Sequence, residues 1–283
     1  MKKKVLKLIT ELEKNQYNRI KKLITDIDLQ IMCLGIINQD IEGQIWVDNV
    51  SNPQTAMMID NIYVIYLLGN PNNKKFNKGA GEIIHNYIIP KQLEHKEIHR
   101  EWIVDYFADE WKAKITKEMK LRNEFEVNLW HYKLKKFQLP NYRELIPPNF
   151  ELIQVDEEFL TRTYLKNHSS VAYVLKNRWR SKEDFFDRSF IFCLVKDDKD
   201  IASFVMGDWS TENYRVIGIE TDESYRKQGL ATIVTAAAAE YCINRNLDLR
   251  WFCSAQNIGS WKTAEKVGFR KIREQTILMG ECS

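Results

Sequence analysis

The sequence predicts a mixed α/β (α+β) protein of two domains, the second built on a mostly antiparallel sheet flanked by helices. Three observations carry this. A hydrophobic fraction of 44% over 283 residues suffices for packed cores and fits about two domains of ordinary size. Three of the six prolines (Pro140, Pro147 and Pro148) crowd one short stretch that neither a helix nor a central strand should cross. Beyond it, apolar runs of strand length alternate with helical patterns. The boundary is placed near Pro147, giving domains 1–146 and 147–283.

In the first domain, Val5, Leu8, Ile9 and Leu12 recur at helical spacing and predict an opening amphipathic helix. Strand-like runs follow at 44–48 and 61–68, and the segment from Gly69 to Asn73 reads as a turn. Residues 102–107 and 125–132 are further strands, separated by a helical pattern over 109–120. In the second domain, 190–196, 201–207 and 215–221 are three strands with short connections, 208–213 being polar loop. A helix from Leu230 to about Asn244 puts Leu230, Ile233, Val234, Ala237, Ala238 and Tyr241 on one face. Its four alanines, Ala236 to Ala239, let it lie close against a sheet. A strand at 247–253, a short helix at 259–267 and a strand at 272–279 complete the order β-β-β-α-β-α-β.

The charges nearly cancel: 42 Lys and Arg against 39 Asp and Glu leave +3, which gives no reason to expect a nucleic-acid partner. No apolar run approaches the roughly 18–20 residues that span a bilayer, and Lys7 and Glu11 interrupt the apolar start. Five scattered cysteines (Cys33, Cys193, Cys242, Cys253, Cys282) with no CxxC pair read as reduced thiols. A cytoplasmic protein, with no membrane association, is expected. His95 and His99 stand at i and i+4, but no third ligand accompanies them, and no metal is expected. Trp251 and Trp261 line either a pocket or a core.

Chemistry enters between the third strand and the alanine-rich helix, where Arg226, Lys227, Gln228, Gly229, Leu230 and Ala231 form Arg-x-x-Gly-x-Ala. Main-chain N–H groups at a helix start have no intrahelical partner and face the positive end of the helix dipole, so they can cradle a pyrophosphate. Gly229 lets a phosphate approach closely. Alternatively, it makes only a tight turn into the helix. Further on, Asn257 precedes a short helix that ends in Glu265, Lys266, Val267, Gly268 and Phe269.

These two segments, on this strand order, resemble the GNAT superfamily of acetyl-CoA-dependent N-acetyltransferases. Phrases around Ser189–Leu194, Ile217–Thr221 and Arg250–Cys253 are similar to the subfamily of zwittermicin A resistance proteins. The resemblance implies a GNAT fold for the second domain and raises a GNAT-like reading of the first, whose role it leaves open. It implies acetyl-CoA as co-substrate, with main-chain atoms of Ile219 and Thr221 pairing with the pantetheine arm where the third and fourth strands splay. Residues 226–231 would then hold the pyrophosphate, Asn257 the pantetheine amide, and Ser260 would cap its helix or touch the cofactor. The expected reaction is direct acetyl transfer to the amine of a small molecule. Glu220 is the candidate proton acceptor, or else a brace for main-chain N–H groups of the adjacent loop. Many members carry a tyrosine four residues before the Gly-Phe glycine; here that position is Ala264, so a non-catalytic acyl-CoA-binding protein is the alternative.

Overall fold

A computed structural model describes residues 8–95 and 100–282. Val5, Lys7 and His99 lie outside the described residues. The chain divides into two compact units, residues 1–129 with 275–283 and residues 130–274. Pro147 falls inside the second unit, on irregular chain after a short 3-10 turn at Tyr142–Leu145.

The first unit contains β1 (Thr10–Glu11), α1 (Ile31–Ile37), β2 (Gly43–Val47), β3 (Thr55–Asp60), β4 (Val64–Gly69), α2 (Lys74–Ile83), α3 (Ile89–Glu94), β5 (Glu101–Tyr106) and α4 (Glu110–Lys117). The long strand β6 (Glu124–Leu134) then leads out of it. The sheet runs β1-β2-β3-β4-β5, antiparallel except for parallel β4 and β5. The opening helix expected over residues 5–12 is corrected: its described part bends and forms β1, and the first helical turn is a 3-10 segment at Lys14–Leu23. Ile9 and Leu12 are buried, and Leu12 N–H reaches Ile45 O at 2.8 Å. Pairing with a strand edge thus satisfies backbone groups that helical spacing alone assigned to a helix.

Strand β4 starts later than the run 61–68 because Asp60 folds the preceding residues into a turn. Its carboxylate accepts from Ile62 N–H at 3.1 Å, Val64 N–H at 2.9 Å and the Tyr66 hydroxyl at 2.9 Å. Nearby Asp105, on β5, is half-buried and accepts from the Gln275 side-chain amide. Burial, opposed by that bond and reinforced by Asp60, pushes its pKa up to about 8. The folded state therefore holds a proton that the unfolded chain releases near pH 4, so this group erodes stability as pH rises from about 4 to about 8. We expect Asp105→Asn, which can still accept from Gln275, to stabilise the protein at pH 8 by on the order of 2–4 kcal/mol. The gain should nearly vanish at pH 4. Thermal melts of both proteins across that range check this; a gain independent of pH would refute it.

The second unit receives β6 and adds β7 (Phe150–Gln154), α5 (His168–Arg178), α6 (Lys182–Arg188), β8 (Ile191–Lys196), β9 (Asp200–Ser210), β10 (Tyr214–Thr221), α7 (Leu230–Asn244), β11 (Asp248–Ser254), α8 (Ile258–Val267) and β12 (Phe269–Glu281). Strands run in the order β12-β6-β11-β10-β9-β8-β7, with β10 and β11 parallel and β7 through β10 antiparallel. One sheet face carries Ile217, Leu249, Trp251 and Cys253 into a core with the alanines of α7. The other carries Cys193, Phe204 and Met206 against Val171 and Val174 of α5. Element types and order over 190–279 are as the sequence predicts, except that β9 continues through Asp208, Trp209 and Ser210, which were expected to be loop. A bulge explains this. Val216 faces Trp209 and Ile217 faces Gly207, leaving Asp208 as the extra residue.

With α2 and α3 counted as one helical segment joined through a π-helical turn at Ile84–Ile88, the order β-β-β-α-β-α-β occurs twice, as β2-β3-β4-α2/α3-β5-α4-β6 and as β8-β9-β10-α7-β11-α8-β12. They differ at the parallel pair. In the first unit β4 and β5 stay paired to Tyr106, where β5 ends.

Candidate functional site

In the second unit the parallel pair opens. Tyr214, Arg215 and Val216 pair with Asp248, Leu249 and Arg250, and the register ends there. Strand β10 continues to Thr221 and β11 to Ser254. Residues 217–221 remain laddered to β9 on their other edge, with Ile219 opposite Val205 and Thr221 opposite Ser203. Their remaining edge of main-chain donors and acceptors has no strand partner among the described residues, the kind of edge an extended ligand can join. Ile219 and Thr221 lie on this edge. The Thr221 hydroxyl is tied to Ser203 Oγ at 2.8 Å.

At the end of β10 the chain turns into α7. Lys227 (φ 63°) and Gly229 (φ 82°) are both left-handed, and Gly229 is the N-cap of the helix. A Cβ on Gly229 would meet nothing within 4 Å, whereas one on Gly268 would lie 1.8 Å from Lys136 O. Gly268 is required by its neighbours; Gly229 faces open space. The N–H groups of Lys227, Gln228, Gly229, Leu230 and Ala231 have no main-chain acceptor among the described residues. Such a curl of unpaired donors at a helix start fits a phosphate group. Arg226 pairs with Glu223 at 3.1 Å and donates to Thr221 O at 3.4 Å, so the turn leans back on the strand it leaves. Gln228 donates to Ser224 O at 3.4 Å.

Sequence reasoning missed what anchors this turn. The Asp222 carboxylate accepts from Ser224 N–H at 3.0 Å and Asn167 Nδ2 at 2.9 Å, and pairs with Lys166 at 3.1 Å. Bonds from the Ser224 hydroxyl, Asn167 and Lys166 hold its pKa well below the usual carboxylate range. Tyr225 is tied through its hydroxyl to Asp200. Asp222 is visible in the sequence only as a turn residue, since Asn167 and Lys166 lie more than fifty positions away.

Across the opening, Asn257 caps α8 by accepting from Ser260 N–H at 3.1 Å. Ser260 Oγ accepts from the Trp251 indole N–H at 3.2 Å, which joins the start of α8 to β11. Trp251 is buried in the α7 core, and Trp261 packs against it. Cys253 is buried, and burial raises its thiol pKa. Glu220 is exposed. Its carboxylate accepts from Ser170 Oγ of α5 at 3.4 Å and from no main-chain N–H among the described residues. Ala264 is fully buried, so a tyrosine in its place would need room that this core does not have. Among the described residues no cluster of three or more His, Cys, Asp and Glu could hold a metal, and no helix is long and apolar enough to cross a membrane.

A parted parallel pair, open beside a glycine-led helix start, defines an acyltransferase of GNAT type. A family model described as GNAT acetyltransferase matches residues 21–278, and the chain belongs to that family. It is 22% identical over 273 residues to the uncharacterized N-acetyltransferase YdfB of Bacillus subtilis, covering 96% of this chain and 98% of the relative. In fold it is similar to a GCN5-related N-acetyltransferase-like protein from Streptococcus suis, with a TM-score of 0.68 and 20% identity over 93% of this chain and 98% of that one. A tandem GNAT protein from the clavulanic acid biosynthesis pathway aligns with a TM-score of 0.60 and 12% identity, covering 97% of this chain and 98% of that chain.

Proposed function

We propose that the protein is an acetyl-CoA-dependent N-acetyltransferase that acts on a small-molecule amine, with domain 147–283 doing the chemistry. The observation that carries this reading is the coincidence, at one end of β10, of an unpaired strand edge and a helix start whose glycine faces open space. Main-chain atoms of Ile219 and Thr221 would meet the pantetheine arm, and residues 226–231 would hold the pyrophosphate. The side-chain amide of Asn257, whose oxygen already caps α8, would offer its N–H to a pantetheine carbonyl, and Ser260 would fix the start of that helix.

Bound acetyl-CoA supplies an activated acyl group. The protein must then present an unprotonated amine, since an ammonium has no lone pair to attack with. Glu220, exposed at the end of the open edge, would take that proton directly or through water. With Ala264 in place of a tyrosine, no side chain at that position protonates the departing thiolate. The same residue favours a second reading, a non-catalytic acyl-CoA-binding protein. Membership in the zwittermicin A resistance-type subfamily would place the acceptor among antibiotic-like amines. Calorimetric titration with acetyl-CoA, followed by release of free coenzyme A with an amine panel, separates these readings. Amine-dependent release supports the enzyme, binding without release supports the second reading, and absence of binding removes both.

A further inference from the structure

The β9 bulge has a chemical consequence on the sheet face that looks toward α5. Because two residues of β9 oppose one of β10, Asp208 and Trp209 both reach that face. Asp208 is buried, and its carboxylate pairs with Arg178 Nε of α5 at 3.2 Å. The Arg178 guanidinium lies 4.6 Å above the Trp209 ring, so the indole is clamped from one side. Trp209 stands 5.8 Å from Phe252 with the rings tilted by 31°, and Phe252 stands 5.7 Å from His131 at 35°. Phe252 lies on β11 just past the residue where β10 and β11 part. All three rings are half-buried and belong to neither of the two cores described above.

The three rings form a continuous run of contacts with neighbouring rings tilted by 31° and 35°, an aromatic shelf that begins where the strands separate. Between the shelf and Glu220 stands Gly218, whose missing side chain keeps the strand surface low; a Cβ there would already touch Asp208 and Met206 at 3.3 and 3.4 Å. Along β10, Val216, Gly218 and Glu220 share this face, so the exposed carboxylate is aligned with the rings. The shelf offers stacking to a planar body, and the carboxylate offers a partner to a protonated amino group.

The geometry points to an acceptor subsite in which Trp209, Phe252 and His131 carry the planar body of an arylalkylamine while Glu220 meets its amino group. This rests on the acetyltransferase reading above and names the acceptor class within it. The continuity of the shelf with the parted strands, and the exposed Glu220 carboxylate at its end, favour this occupant over an anionic one. Arg178, the cation over Trp209, is already engaged by Asp208.

The test compares 2-phenylethylamine with n-hexylamine, which has similar apolar bulk and basicity but no ring. The intact protein should show at least a tenfold higher kcat/KM for the arylalkylamine. Phe252→Leu keeps the apolar contact and removes the ring; it should cut that preference below threefold through KM, with kcat and acetyl-CoA affinity unchanged. His131→Leu should act in the same direction and serves as the independent variant if Phe252→Leu does not fold. Equal efficiency for the two amines in the intact protein, or a preference that survives both substitutions, would overturn the subsite. Acetyl-CoA binding without acetylation of the arylalkylamine would overturn it too, leaving the cofactor site standing. Failure to bind acetyl-CoA at all would instead remove the reading on which the subsite rests.

Discussion

Gly229→Trp is expected to weaken acetyl-CoA binding at least about 100-fold, or about 2.7 kcal/mol, while the protein remains folded. Both halves of this result follow from the local geometry. Beyond its chain neighbours, no heavy atom lies within 4 Å of the position a Cβ would take, so the new side chain leaves the backbone into open space. A non-glycine residue at φ 82° adds strain of roughly 1–2 kcal/mol, which a domain of ordinary stability tolerates. The ring would then stand over the unpaired N–H groups of residues 227–231, where the pyrophosphate is placed. Gly229→Ala has the same backbone strain and little of the bulk, and should lose far less affinity. Calorimetry on both variants, with circular dichroism to verify folding, decides the matter. If the tryptophan variant bound acetyl-CoA as tightly as the parent, the pyrophosphate would have to lie elsewhere.

Glu220→Gln should lower the rate of acetyl transfer at neutral pH by about 10²–10⁴-fold, the range for a lost general base, with acetyl-CoA affinity unchanged. The substitution keeps the side-chain length and its acceptor for Ser170 Oγ, 3.4 Å away in the parent. Without the carboxylate, the reaction must draw on the small fraction of amine already unprotonated. Activity of the variant should therefore climb by about tenfold per pH unit, up to an amine pKa of about 10. A pH–rate profile parallel to that of the parent would show that Glu220 does not move the proton.

The features legible in the sequence were those whose determinants are neighbours along the chain. The turn at 226–231 is one: a glycine at the start of an apolar helix needs no distant partner to be recognised, and the left-handed φ of Gly229 satisfies what its residue type allows. Asn257 as a helix cap is another, because its acceptor meets the N–H of Ser260 only three positions on. Elements buried on every side were harder. Helix α1 is apolar around nearly its whole surface and all six residues of β3 are buried, so neither shows the periodicity by which an element is recognised.

Asp208 shows the opposite limit. A charged residue after an apolar run reads as loop, yet here it continues a strand because Arg178, thirty positions away, neutralises it. The bulge also sets two successive residues on one face, which breaks the alternation that would have identified the strand.

By itself, then, the sequence determined the succession of strands and helices over 190–279, the glycine turn into α7 and the cap across from it, each through contacts spanning a few residues. Only the tertiary structure decided where β10 and β11 stop pairing, which face Glu220 shares with the aromatic shelf, and what anchors Asp222. Those depend on registers between strands and on charges brought together from distant segments, and no local pattern of residue types encodes a register.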